Sequence, residues 1–242
     1  MAIDYPTIIA DESARMHEIA TAGPLDAPVP GAPGWTLADL VRHMGNVQRW
    51  ATYVIEHGGP GEAGEDHRSV EEVVDAFPSY TAGLLAALDG LDPDAELWNF
   101  TSGPQVGSFW LRRQALEVTI HRWDAESAVS ANPPAIPAEL AADAIDEFVH
   151  VFIGRVIDRE GIDVSQLPGD VHLHCTDTEG EWTFEIVEGE LVIVDEHRKS
   201  NVAVRGQASD LALFMYGRGD SANVEIFGDQ AALSAWQQAF TP

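Results

Sequence analysis

The chain has 242 residues, 45% of them apolar, enough to bury a sizeable core as one large domain or two small ones and too many for an intrinsically disordered polymer. Thirteen Lys and Arg stand against 40 Asp and Glu, a formal charge of −27 that repels nucleic acid and anionic membranes. No apolar run approaches the roughly 20 residues of a membrane-spanning helix. Residues 1–6 carry neither the basic region nor the apolar core of a secretory signal. A cytosolic location is therefore expected. The single cysteine, Cys175, excludes an intrachain disulfide and fits a reducing compartment. The acidity also keeps anionic small molecules away unless a bound dication or a placed arginine reverses the field locally. It serves equally well as a solubility device.

In chain order, residues 7–22 alternate polar and apolar groups at helical spacing and stop at Gly23 and Pro24. A loop rich in Pro and Gly follows. Thr36 then offers an N-cap, with Asp39 three residues on in the manner of a capping box. Leu37, Leu40, Val41, Met44, Val47 and Ala51 form the apolar stripe of a second helix, which ends near His57 and Gly58. A third helix is expected over residues 69–88 and a fourth over 109–129, broken by Asn132, Pro133 and Pro134. Four helices of this length fit an antiparallel bundle. A fifth, 138–159, links to a second domain. After Gly161 the period changes to two: 171–176, 182–187, 191–194 and 201–205 read as strands. Residues 209–216 read as a helix, 224–227 as a short strand and 231–240 as a closing helix. The expected class is α+β. An all-helical domain, 1–134, precedes a smaller α+β domain, 135–242, with a mainly antiparallel sheet.

The chemistry concentrates on two of these helices. Glu117 and His121 stand at i and i+4 on the fourth, so both side chains share one face beside Leu116 and Ile120. Burying a carboxylate and an imidazole without partners is costly, and a metal ion removes that cost. A catalytic metal normally has three protein ligands and an open position. His43, next to the apolar stripe of the second helix, is the best third ligand. Two His and one Glu suit zinc, and also nickel, iron or manganese. The spacing alone is equally that of an ordinary exposed pair, and His43 alone equally that of a hydrogen-bonded core histidine. Asp124, three residues beyond His121, could accept the second imidazole N–H, or pair with Arg113 or Arg122.

Other motifs carry less. The glycines at 59, 61 and 64 spell a dinucleotide fingerprint, but they follow a helix and include Pro60. Arg218, Gly219 and Asp220 spell an adhesion tripeptide without meaning in an acidic cytosolic chain. His172 and His174 share one strand face. They could bind metal, but with no third ligand nearby an exposed face is the better reading. Cys175 points to the opposite face with Val171 and Leu173 and reads as a small core residue.

The segment 35–44, WTLADLVRHM, resembles the second helix of the mycothiol-dependent maleylpyruvate isomerase family, and 116–126, LEVTIHRWDAE, resembles its fourth-helix signature. That family belongs to the wider DinB-like bundle group. Residues 201–206 and 208–218 are similar to its sterol-carrier-like C-terminal domain, so the resemblance covers nearly the whole chain. It implies a zinc ion held by His43, Glu117 and His121, mycothiol as thiol cosubstrate, and Arg218 as the contact for a substrate carboxylate. The implied activity is thiol addition to an electrophile, either isomerisation of maleylpyruvate or S-transfer. The partners are then a small-molecule electrophile and a low-molecular-weight thiol, in a monomer or homodimer. Two other readings stay open. In one, the chain is a binding module whose bundle keeps its metal for structure and whose C-terminal domain carries an apolar ligand or a partner protein. In the other, it is a metal-dependent hydrolase that activates water.

Overall fold

The computed structural model describes residues 3–64 and 66–240. The chain divides into two compact units, one ending at Pro134 and the other beginning at Ala135.

Four long helices make the first unit: α1 (Tyr5–Ala22), α2 (Leu37–His57), α3 (Val70–Leu88) and α4 (Gly107–Val129). Their starts follow local chemistry. Asp4 caps α1 by accepting from the Thr7 N–H. Thr36 and Asp39 close a reciprocal capping box on α2, and Ser69 and Glu72 do the same on α3. Gly58 ends α2 in the left-handed conformation that glycine adopts without strain. α4 has no side-chain cap. It starts at Gly107, where a Cβ would lie 2.5 Å from the Asp92 carbonyl oxygen.

α1 packs on α4 and α3, and α2 packs on α3 and α4. Met16, Leu40, Met44, Phe77 and Val118 form one apolar cluster, and Ile9, Ala51, Val54, Leu84 and Trp110 another. Full burial of side chains this size is worth about 1.5–3 kcal/mol each, which fixes the rotation of α2 about its axis. One position departs from the expected stripe. Gln48, not Val47, is the buried residue. Its amide donates to Ser13 Oγ at 2.9 Å and accepts from Thr81 Oγ1 at 3.1 Å, so its polar atoms are satisfied by α1 and α3. α4 is buried nearly all round, including Arg113, Arg122, Asp124 and Glu126.

In the second unit, α5 (Ala138–Glu147) runs through a π-helical turn (Phe148–Phe152) into α6 (Ile153–Glu160). A single uniform helix was expected there. The wider turn aligns residues five apart, and Phe148 and Ile153 are both buried at 1% exposure. The strands are β1 (Val171–Cys175), β2 (Glu181–Val187), β3 (Glu190–Val194), β4 (Val202–Gly206) and β5 (Glu225–Gly228). They form one sheet in the order β3-β2-β1-β4-β5, antiparallel except for the β1–β4 pair. Glu188 and Gly189, at φ 55° and 88°, make the tight β2–β3 turn. α7 (Ala208–Met215) packs on α5, β1 and β4, and α8 (Gln230–Phe240) on β4. Val171, Leu173, Cys175, Val202 and Val204 are buried at 3% exposure or less. The architecture is α+β, as expected. Among the described residues no helix is long and apolar enough to cross a membrane.

Candidate metal centre

α2 and α4 bring His43, Glu117 and His121 together. Glu117 Oε1 lies 3.3 Å from His43 Nε2 and 3.5 Å from His121 Nε2. The two imidazoles meet edge to face, with ring centroids 5.0 Å apart. One ligand atom from each of the three residues lies within 4.8 Å of the others. Metal–ligand bonds of about 2.0–2.2 Å in a tetrahedron set neighbouring ligand atoms roughly 3.3–3.6 Å apart. The two separations sit in that range, so the donor set fits a zinc-type cation in both chemistry and spacing.

Two of the three candidate ligands are held in place by a neighbour on α4. Arg113, one turn before Glu117, bonds its Oε2 and leaves Oε1 turned to the histidines. The His121 Nδ1–H donates to Asp124 Oδ2 at 2.9 Å, which leaves Nε2 toward Glu117. Asp124 is fully buried. Arg122 pairs with Glu12 of α1, and Arg15 of α1 with Glu126, so these ion pairs tie α4 to α1. The Trp35 indole stands edge to face on His43 at 5.1 Å and is 36% exposed. The His43 side of the cluster is therefore the one open to solvent, with 34% of its side chain accessible against 13% for His121.

The electrostatics follow from these contacts. Burial pushes the Glu117 carboxyl up, but the Arg113 guanidinium and the two histidines outweigh it and hold the group well below its ordinary value. Burial pushes His121 down. The Glu117 charge and the bond to Asp124 overcome that and raise it to about 9. Without a metal the cluster is thus a carboxylate with a proton held on His121.

The Asp124–His121 contact matches the expectation from spacing. The role of Arg113 was missed, although its i,i+4 relation to Glu117 is readable in the sequence. Arg218 belongs to the C-terminal unit. It lies just beyond α7, half-buried, donating from Nη1 to the Tyr216 carbonyl at 2.7 Å with its guanidinium 5.8 Å from the Tyr216 ring centroid. The glycine-rich 59–64 segment joins α2 to α3 and is no strand-to-helix phosphate loop. Its Gly61 and Ala63 carbonyls accept from Trp50 and Arg49. Residue 65, just after it, lies outside the described residues. Cys175 is buried, and burial together with Asp177 pushes its thiol up to about 12, as suits a core residue. One expectation is overturned. His172 does not lie on an exposed face but is buried at 4% exposure, and Glu181 and His197 approach it.

Fold and site together define a class: a helical unit with a histidine–carboxylate–histidine cluster between two helices, followed by an α+β unit. The family model described as the mycothiol maleylpyruvate isomerase N-terminal domain matches residues 7–126, and that family's C-terminal domain model matches 139–235. The chain belongs to the mycothiol maleylpyruvate isomerase family. Among solved structures it is similar to a mycothiol-dependent maleylpyruvate isomerase, with a TM-score of 0.58 and 14% identity over 92% of this chain and 91% of that one. A histidine-to-alanine mutant of a mycothiol-dependent maleylpyruvate isomerase gives a TM-score of 0.56 with the same identity and coverage. At that identity the likeness establishes the shared fold. No curated protein matches the chain in sequence.

Proposed function

We propose that the chain is a metal-dependent enzyme that activates a low-molecular-weight thiol, mycothiol by its family, for addition to an electrophile. Maleylpyruvate is the first electrophile to test. The observation that carries the reading is the spacing of two imidazole nitrogens around Glu117 Oε1, with Arg113 and Asp124 orienting two of the three residues. His43, Glu117 and His121 would hold the ion. When bound, a zinc-type dication stabilises a thiolate far more than a thiol.

The protein's own residues do the remaining work. Arg113 keeps Glu117 ionised, so one oxygen is always available as a ligand. Asp124 holds the His121 ring with Nε2 toward the cluster. Trp35 offers an apolar, partly exposed surface beside His43 where a ligand could lie. Arg218 is assigned to a substrate carboxylate. The isomerisation itself needs only a sulfur that adds to a cis double bond, rotation about the resulting single bond, and departure of the same sulfur. An apolar-ligand carrier is disfavoured by the small size of an apolar cavity in the C-terminal unit. Lined by Phe148, Phe184, Leu233 and Trp236 among others, it has room for about 20 Å³, against the roughly 300–1,000 Å³ of small-molecule sites.

The test uses cobalt-substituted protein and a panel of mycothiol, glutathione, bacillithiol and cysteine. Mycothiol should produce a sulfur-to-metal charge-transfer band in the near ultraviolet at pH 7, below the roughly 8.5 of a free cysteine-type thiol. The band should vanish in His43→Ala, Glu117→Ala and His121→Ala and survive Cys175→Ser. If no thiol raises the band in cobalt-loaded protein, thiol activation is wrong and water activation takes its place.

A further inference from the structure

The face of the C-terminal sheet turned away from the Leu173 core carries a second group of ligating side chains, sharing no residue with the His43 cluster. His172 and His174 are two apart on β1 and project to the same face. The β1–β2 register sets Thr183 opposite His172 and Glu181 opposite His174. The chain after β3 returns to this face. Thr183 Oγ1 donates to the Glu196 carbonyl at 2.9 Å, and the next residue, His197, stands edge to face on His172 with ring centroids 4.6 Å apart. Glu181 Oε1 is bonded to His174 Nδ1 and lies 3.7 Å from His197 Nδ1. One ligand atom from each of His172, His174 and Glu181 lies within 4.8 Å of the others.

A cross-strand ion pair accounts for His174 and Glu181. It does not account for His172, which is 4% exposed and whose buried Nε2 makes no hydrogen bond. A buried imidazole nitrogen without a partner is destabilising, and native structures rarely leave one. A cation among these residues supplies the missing partner. We infer that this sheet face binds a divalent cation of the zinc class through His172, His174 and Glu181, with His197 as fourth ligand. Three imidazoles and one carboxylate select zinc or a neighbouring transition metal over calcium or magnesium, which take oxygen ligands. Four protein ligands leave no open position, so the ion is structural and clamps β1, β2 and the 195–200 segment together.

The test uses the full chain carrying His43→Ala and His121→Ala, which disables the N-terminal set. Loaded with zinc and passed through gel filtration, it should retain about one zinc per chain. Cobalt should give a visible d–d spectrum of tetrahedral nitrogen and oxygen coordination. Adding His172→Ala should abolish both signals. His197 lies on a loop with 71% of its side chain exposed, so His197→Ala cannot collapse the core. It should weaken zinc binding by at least the roughly tenfold that loss of an outer-sphere partner costs a metal site. Zinc should also raise the thermal midpoint of the double variant, while calcium and magnesium do not. A folded double variant that retains no zinc would overturn the inference. So would zinc retention unchanged by both His172→Ala and His197→Ala.

Discussion

His121 sits between two carboxylates, Glu117 on one ring nitrogen and Asp124 on the other, and it holds a proton up to about pH 9 in the metal-free protein. Binding of the proposed metal at His121 would displace that proton. The sign is set by the raised value: affinity is highest above about 9 and falls as the pH drops through it, by about tenfold per unit for one proton. An unperturbed imidazole would show the same fall only below about 6.5. Zinc competition against a chelator between pH 6.5 and 9.5, in a His172→Ala background so that one set is counted, should find this slope already at pH 8. Asp124→Asn should move the onset down, because the acceptor that holds the proton is weakened. It should also lower the affinity at pH 9.5 by about 10–100-fold, because the ring loses its orienting partner. A flat profile from pH 9 to 7 in the unmodified cluster would refute the proton-competition account. At this scale the Glu117–His121 pair was legible because i and i+4 positions share a helix face. The bond from Arg113 to Glu117 was missed, although the two stand at i and i+4 on one helix.

Among the elements, α2 and α4 matter most, because they carry all three proposed ligands between them. The position of His43 along α2 depends on where that helix begins, and the beginning is set by the Thr36–Asp39 box. Thr36→Ala removes the acceptor for the Asp39 N–H and should cost about 1 kcal/mol. In a chain of this size that is a fall of about 2–4 °C in thermal midpoint. Metal affinity should also drop, because fraying of the first turns loosens His43. Asp39→Ala, which removes the reciprocal half of the box, should do the same. Scanning calorimetry checks both. An unchanged midpoint in both variants would mean that Leu37, Leu40 and Val41 hold the helix start without the cap. The box could be read from residue types alone because its bonds span only three residues. The π turn at Phe148–Phe152 could not. It depends on which residues find buried partners after the chain has folded, and sequence periodicity near 3.6 conceals a single wide turn.

For the molecule as a whole the charge of −27 is the dominant long-range property. An electrophile bearing carboxylates must approach against it. Raising the salt from about 20 to 200 mM shortens the screening length from roughly 20 Å to 7 Å. The kcat/KM for a carboxylate-bearing electrophile should then rise, while that for a neutral thiol acceptor stays level. Steady-state assays over this range decide it, and equal salt curves would show that the acidity serves solubility alone. The sequence by itself determined the two-part organisation, because helical and strand periods differ and change at Gly161. It also pointed to Glu117 and His121 as a pair, because i and i+4 share a helix face, and His43 joined them as a candidate through its place beside the α2 stripe and the family resemblance. Only the tertiary structure decided the surroundings of His172. Glu181 comes from the next strand and His197 from beyond β3, and strand register together with the return of a loop brings them to one face. Those contacts join residues up to 25 apart in the chain, where spacing carries no information and only the pairing of strands sets the distance.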